Sequence, residues 1–338
     1  MAVAAVLLSA CGGGDASSAA SADAAASVTP TPQATAAAPT RHRSRAYDRK
    51  GVTALVVARD GQSIGAVGAD GGVRVLDGTA SEKARFSGHG TAPATGVLFS
   101  ADGRRMVTVG RDSTAFVWDV ASGAKLLTLR GHEHAIRAVA ASEAAGLIAT
   151  AGEETRVMLW DDSTGKLKKI LSGASDFVNA VAFSPDGRLV ATGDAASRVL
   201  VWDVATGKLI KKLRAHSDEV NAVVFSPDGT LLASGGEDKK VVLWDVANGE
   251  VGAALDAEGS AVRTLAFSRD GVALASGGAD GKILQWDMAT RSLTRSLASA
   301  GGSVNSLAFD ARNRSILFAG SEDNRVEVWD LVRGTTTR

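Results

Sequence analysis

His216, Ser234 and Asp238 are the residue types of a nucleophilic triad, in which an imidazole takes a hydroxyl proton and a carboxylate orients the ring. The same types recur upstream as His89, Thr108 and Asp112, and again as His132, Thr150 and Glu154. Each set is followed by a tryptophan, namely Trp244, Trp118 and Trp160. A set that recurs down the chain and ends on Trp reads as packing and not as a reaction centre. A buried indole N–H, a hydroxyl and an imidazole all need hydrogen-bond partners, and such a set can supply them. No Gly-x-Ser-x-Gly elbow is present. His132 and His134 could together approach a metal, but His132 belongs to the recurring set and no Cys or further His lies nearby. No phosphate loop or dinucleotide fingerprint occurs, so no catalytic residue, metal or cofactor is expected.

The elements that must position these residues follow from the repeat. Trp-Asp pairs stand at Trp118-Asp119, Trp160-Asp161, Trp202-Asp203, Trp244-Asp245, Trp286-Asp287 and Trp329-Asp330, at spacings of 42, 42, 42, 42 and 43 residues. One period before the first lies a degenerate pair, Leu76-Asp77. Seven repeats therefore cover about residues 52 to 331. Within the repeat ending at Trp244, Val220 to Ser226 is apolar and β-branched and stops at Pro227-Asp228-Gly229. Thr230 to Gly236 and Val241 to Trp244 follow, separated by Glu237-Asp238-Lys239, and Asn248-Gly249 marks the next turn. Short apolar runs between such turns predict antiparallel strands, and no window keeps a helical period for long. One such unit cannot bury both its faces, so neighbouring units must supply the missing contacts.

The period, a Gly-His or near-equivalent opening and the Trp-Asp close resemble the WD-repeat family of β-propellers. The resemblance implies an all-β fold, a seven-bladed propeller of four-stranded antiparallel blades. These would run roughly 52–87, 88–130, 131–172, 173–214, 215–256, 257–298 and 299–331, within a propeller spanning 41–338. It implies a hydrogen-bond chain within a blade, from Asp to His to Ser or Thr to the Trp indole. The sets headed by His216, His89 and His132 are complete, with His89 one residue early and Glu154 for Asp. Other blades are incomplete: Ala174 and Ala196 stand beside Thr192 and Trp202, Glu258 beside Ser276, Asp280 and Trp286, Ala300 and Ala319 beside Asp323 and Trp329. The first blade keeps only Asp70. After Trp329-Asp330 only a short tail remains, so an N-terminal strand around Arg43 to Asp48 is expected to complete the last blade.

The family resemblance also implies a docking face, made by the loops entering the inner strands and the turns before the third strands. By position this selects Arg137, Asn179, Asn221, Arg263 and Asn305, with Phe177 and Glu219 two residues before their Asn, and Arg111, Glu153, Glu237 and Glu322 before the turn acid. An exposed aromatic ringed by Arg, Asn and Glu suits a protein or peptide partner. The leading expectation is a non-enzymatic interaction scaffold. The alternative is a small-ligand-binding or enzymatic, quinoprotein-like propeller.

The remaining chain bears on location. Lys plus Arg and Asp plus Glu are 37 each, which gives no support to nucleic-acid binding. No run of 18 apolar residues exists to span a membrane as a helix. The opening MAVAAVLLSA followed by Cys11, the only cysteine, resembles a bacterial lipoprotein signal, in which cleavage precedes a Cys that is then lipidated. It departs from that pattern in having no Lys or Arg before the apolar run. Residues 12–40, mostly Ala, Ser, Gly, Thr and Pro, cannot bury a core and read as a disordered linker. Together these predict a signal over 1–10, a lipid-bearing Cys11 and tether over 11–40, and a place in the bacterial cell envelope. Gly12 rather than Asp after Cys11 favours the outer membrane. The alternative is a cytoplasmic protein, and oligomeric state is not legible.

Overall fold

Blade 5, residues 220–256, shows how the repeat becomes structure. Its inner strand Val220–Phe225 is buried along its whole length and apolar but for Asn221. The second and third strands, Leu231–Gly236 and Lys240–Asp245, are buried except near their ends. In the outer strand, Val251–Asp256, Leu255 alone is buried, and the alternation of a half-solvated strand returns. Burial thus falls from the axis to the rim within every sequence period.

The turns are chemically specified. At the first, Asp228 Oδ1 accepts from Thr230 N at 3.1 Å and Gly229 takes φ of +73°. At the last turn of blade 4, Asp203 Oδ1 accepts from Thr206 N and Oγ1 at 2.7 and 2.6 Å, and Gly207 has φ of +72°. The aspartate of the recurring Trp-Asp pair is therefore a turn cap. The Thr206 hydroxyl and amide hold its carboxyl below the usual range.

The chain, a computed structural model describing residues 40–46, 52–59, 61, 63–77, 81–310, 313, 315–323 and 325–331, forms seven four-stranded antiparallel sheets. Six are built from consecutive strands, at 52–87, 94–130, 136–172, 178–213, 220–256 and 262–298. The seventh joins Val304–Phe309, Ile316–Ser321 and Arg325–Asp330 to the strand Thr40–Ala46. That strand runs antiparallel to Arg325–Asp330, with Thr40 opposite Asp330 and Ala46 opposite Arg325. The N-terminal strand closes the last blade as expected, but starts at Thr40, three residues before Arg43; Tyr47 and Asp48 lie outside the described residues. Each inner strand packs on the next, and the inner strand of blade 7 packs on that of blade 1. This is a closed propeller, so no inner edge is left open.

Neighbouring blades approach closely where the sequence keeps Gly. A Cβ at Gly235 would stand 2.4 Å from Val262 Cγ1 of the next blade. Trp202 and Trp244 lie in one apolar cluster that runs across blades 3, 4 and 5. Among the described residues no helix is long and apolar enough to cross a membrane.

Candidate interaction surface at the channel mouth

The recurring His sets lie inside the blades. His216 Nδ1 is 2.9 Å from both Asp238 carboxylate oxygens, and its Nε2 is 2.7 Å from Ser234 Oγ. The Trp244 indole N–H donates to the same Oγ at 2.8 Å. Because a carboxylate only accepts, Nδ1–H donates to Asp238, and in that tautomer Nε2 accepts from the Ser234 hydroxyl, whose oxygen accepts the indole N–H. Ser234 is wholly buried and its oxygen is committed on both sides, so it cannot act as a nucleophile.

Blade 2 repeats the chain with His89 at 2.9 Å from both Asp112 and Thr108, and Trp118 at 2.9 Å from Thr108. The early position of His89 is absorbed by its flanking glycines. A Cβ at Gly88 would stand 2.4 Å from the Trp118 ring, and Gly90 takes a positive φ of +60°. In blade 3, His132 bridges Glu154 and Thr150, and Trp160 donates to Thr150 at 2.7 Å. Burial holds the His132 imidazole below its ordinary pKa against the opposing pull of Glu154, with Arg156 adding to the depression.

The incomplete blades are repaired in ways the motif does not announce. In blade 1, Arg74 is buried and its guanidinium donates to Asp70 at 2.8 Å, taking the place of the absent His. In blade 4, Arg198 grips the fully buried Asp194 through Nε and Nη2 at 2.9 and 2.6 Å. Thr192 Oγ1 and Trp202 Nε1, at the positions bonded in blade 5, have no partner among the described residues. In blade 7, Glu327 lies opposite Ala319 and accepts from Ala300 N at 3.1 Å.

The face that could meet a partner is built differently. In all seven blades the pairing of inner and second strands slips by one residue, at Thr53, Thr95, Arg137, Asn179, Asn221, Arg263 and Asn305. A bulge leaves its extra residue out of the ladder and re-aims its side chain. These seven side chains form a ring at one end of the inner strands. Thr95 donates to Ile136 O at 2.6 Å, Asn179 to Val220 O at 3.4 Å, Asn221 to Val262 O at 3.2 Å and Asn305 to Val52 O at 3.3 Å. Thr53 donates to Ala94 O. Each bond joins one blade to the next.

The loops over this ring are fastened by a common backbone bond between the turn before the third strand and the loop entering the inner strand. Examples are Glu153 N to Ala135 O, Glu237 N to Glu219 O, and Glu322 N to Ser303 O, at 2.9, 2.9 and 3.0 Å. On this frame Arg137 donates to Glu153 Oε1 at 3.0 and 3.2 Å and to Asn179 Oδ1 at 2.7 Å. Arg111 lies 3.9 Å from the same Glu153 oxygen. Asn179 also donates to Glu219 at 3.4 Å, and Asn221 to Glu237 at 2.8 Å. Phe177 is 42% exposed, with the Arg137 guanidinium 5.3 Å from its ring centre. Ten of the eleven selected surface residues are thus placed on this face by their contacts, Arg263 alone by its bulge, without a hydrogen bond among the described residues. Cys11 lies outside the described residues.

The family model for the WD domain, G-beta repeat, matches residues 80–119, 123–161, 165–203, 207–245, 249–287 and 291–330. The chain belongs to the WD40 family. Each WD40 match begins at or just before an outer strand and ends on the third strand of the following blade, so sequence repeats and structural blades are out of phase. No match covers the first three strands of blade 1, where Leu76 stands for Trp, yet the sheet forms. WD40 propellers commonly mediate protein interactions and are usually non-enzymatic. No curated protein matches the chain. Among the described residues no group of three or more potential metal ligands occurs. Sequence reasoning selected five of the seven ring residues and missed Thr53 and Thr95, whose signal was the constant step of 42 residues.

Proposed function

We propose that this WD40 propeller is a non-enzymatic scaffold that docks a protein or peptide on the loop face around the channel mouth, and that Cys11 tethers it to a bacterial membrane in the cell envelope. The observation that carries the docking reading is Phe177. The other exposed large apolar side chains lie on outer strands or, for Val272, at the opposite end of a blade. Phe177 is the one among the described residues on the loop face, and Arg137, Asn179, Glu219 and Glu153 around it are already held in place by mutual bonds. An aromatic anchor inside a pre-organised polar rim is the composition of an interface centre.

The tether reading is supported by the apolar opening, by Cys11 and by the Ala/Ser-rich residues 12–40, which would separate a lipid from the first strand. Affinity capture from detergent-solubilised native cells, with the bait's intact mass recorded, tests both parts. A lipid-sized increment lost in Cys11→Ala, with a partner enriched by the wild-type chain and lost with Phe177→Asp, supports the account. An unmodified chain removes the tether. A partner indifferent to Phe177→Asp removes the docking face.

A further inference from the structure

We infer that Arg263 is the receptor for a carboxylate presented by a peptide partner at the channel mouth. The inference rests on the docking reading above and adds the chemistry of what docks.

Six of the seven ring side chains complete a bond to the neighbouring blade, Arg137 doing so through Asn179 Oδ1. Arg263 makes no hydrogen bond or ion pair among the described residues, and its Nε is buried without a partner. A guanidinium stays charged at any ordinary pH, and leaving a buried donor unmet is costly. The other ring arginine shows how this position is satisfied. Arg137 directs Nε and Nη2 at one oxygen of Glu153, which stands on the turn of the same blade.

The corresponding residue of blade 6 is Ala279. Its amide donates to Ala261 O at 3.0 Å, as the Glu153 amide donates to Ala135 O at 2.9 Å. The backbone frames therefore match, and only the carboxylate is missing. Nearby acids are engaged elsewhere. Glu258 holds Lys282 at 3.0 Å, Asp280 caps its own turn by accepting from Lys282 N at 2.9 Å, and Glu237 accepts from Asn221. Asn305, the neighbouring ring residue, uses its Nδ2 on Val52 O and its Oδ1 on the Ser303 hydroxyl. A partner's Asp or Glu entering over Ala279 would supply to Arg263 what Glu153 supplies to Arg137. The bonds would be charge-assisted, which favours a carboxylate over a neutral amide.

A displayed library of random peptides, selected in parallel on the wild-type chain, Arg263→Gln and Ala279→Glu, tests this. The wild type should enrich acidic peptides, and changing the key Glu of a selected peptide to Gln should weaken it about tenfold or more. Arg263→Gln should bind the Glu and Gln peptides alike. Ala279→Glu should do the same while melting no lower than wild type, because it builds the blade 3 pair internally; this keeps loss of binding separate from loss of fold. Acidic peptides that bind Arg263→Gln as well as wild type overturn the inference. Peptides without acidic enrichment that still need Phe177 overturn it while leaving the docking face standing. No peptide selected on the loop face at all overturns both.

Discussion

Trp202 occupies in blade 4 the place of Trp244 in blade 5, but its indole N–H reaches no acceptor, whereas Trp244 donates to Ser234 Oγ at 2.8 Å. Both rings are almost fully buried. The two tryptophans therefore contribute similar apolar burial and differ by one buried hydrogen bond and the His216 chain behind it. Trp244→Phe should destabilise the propeller more than Trp202→Phe does, by about 1–2 kcal/mol in denaturant unfolding. Equal losses would contradict the hydrogen-bond assignment, since the loss of ring volume is common to both.

Asp194 and Arg198 form a buried ion pair in blade 4, where blade 5 has Gly236 at the first position. Arg198→Ala alone leaves a wholly buried carboxylate without its partner and should cost about 3–5 kcal/mol. Asp194→Gly together with Arg198→Ala should recover most of that loss. A double variant as unstable as the single one would show that the guanidinium matters for packing and not for charge.

The strand Thr40–Ala46 covers the outer edge of blade 7. Removing residues 1–46 should lower the melting temperature and produce concentration-dependent aggregation, because the edge of Arg325–Asp330 is then exposed. Light scattering alongside thermal unfolding measures both. An unchanged monomer with unchanged melting would mean that the strand is dispensable for closure.

His132 titrates below 6.5 when folded, because burial opposes its charged form. The unfolded chain binds that proton more readily, so stability rises with pH up to about 6.5 and is lost progressively as pH falls below it. Measured by imidazole NMR, the His132 titration midpoint should lie below that of an ordinary histidine. A titration midpoint at or above the ordinary value would contradict the burial argument. The aspartates whose hydroxyl and amide donors lower their pKa, such as Asp203, add acid sensitivity only at lower pH.

The seven blades were legible because hydrophobic runs, turn residues and Trp-Asp closes keep one period, so that even Leu76-Asp77 marks a blade in register. The His216 set was legible for the same reason. Arg74 and the Asp194–Arg198 pair were not, because each compensates for a missing motif residue from a position that carries no motif residue itself. The ring was only partly legible. A bulge is a property of two paired strands, and Thr53 and Thr95 do not differ in sequence from ordinary strand residues. The closing strand was placed late because RHRSRAYDRK, though Arg recurs at every second position from 41 to 45, has no apolar face and no turn signal to fix its register.

The docking proposal places the partner on the loop face bearing Phe177 and not on the rim. The most direct test compares capture of the enriched partner by wild type, Phe177→Asp on the loop face and Ile210→Asp on an exposed outer strand. Melting temperatures should be the same for all three chains. Wild type and Ile210→Asp should capture the partner, and Phe177→Asp should lose it. Retention by Phe177→Asp with loss in Ile210→Asp would place the interface on the rim and contradict the proposal.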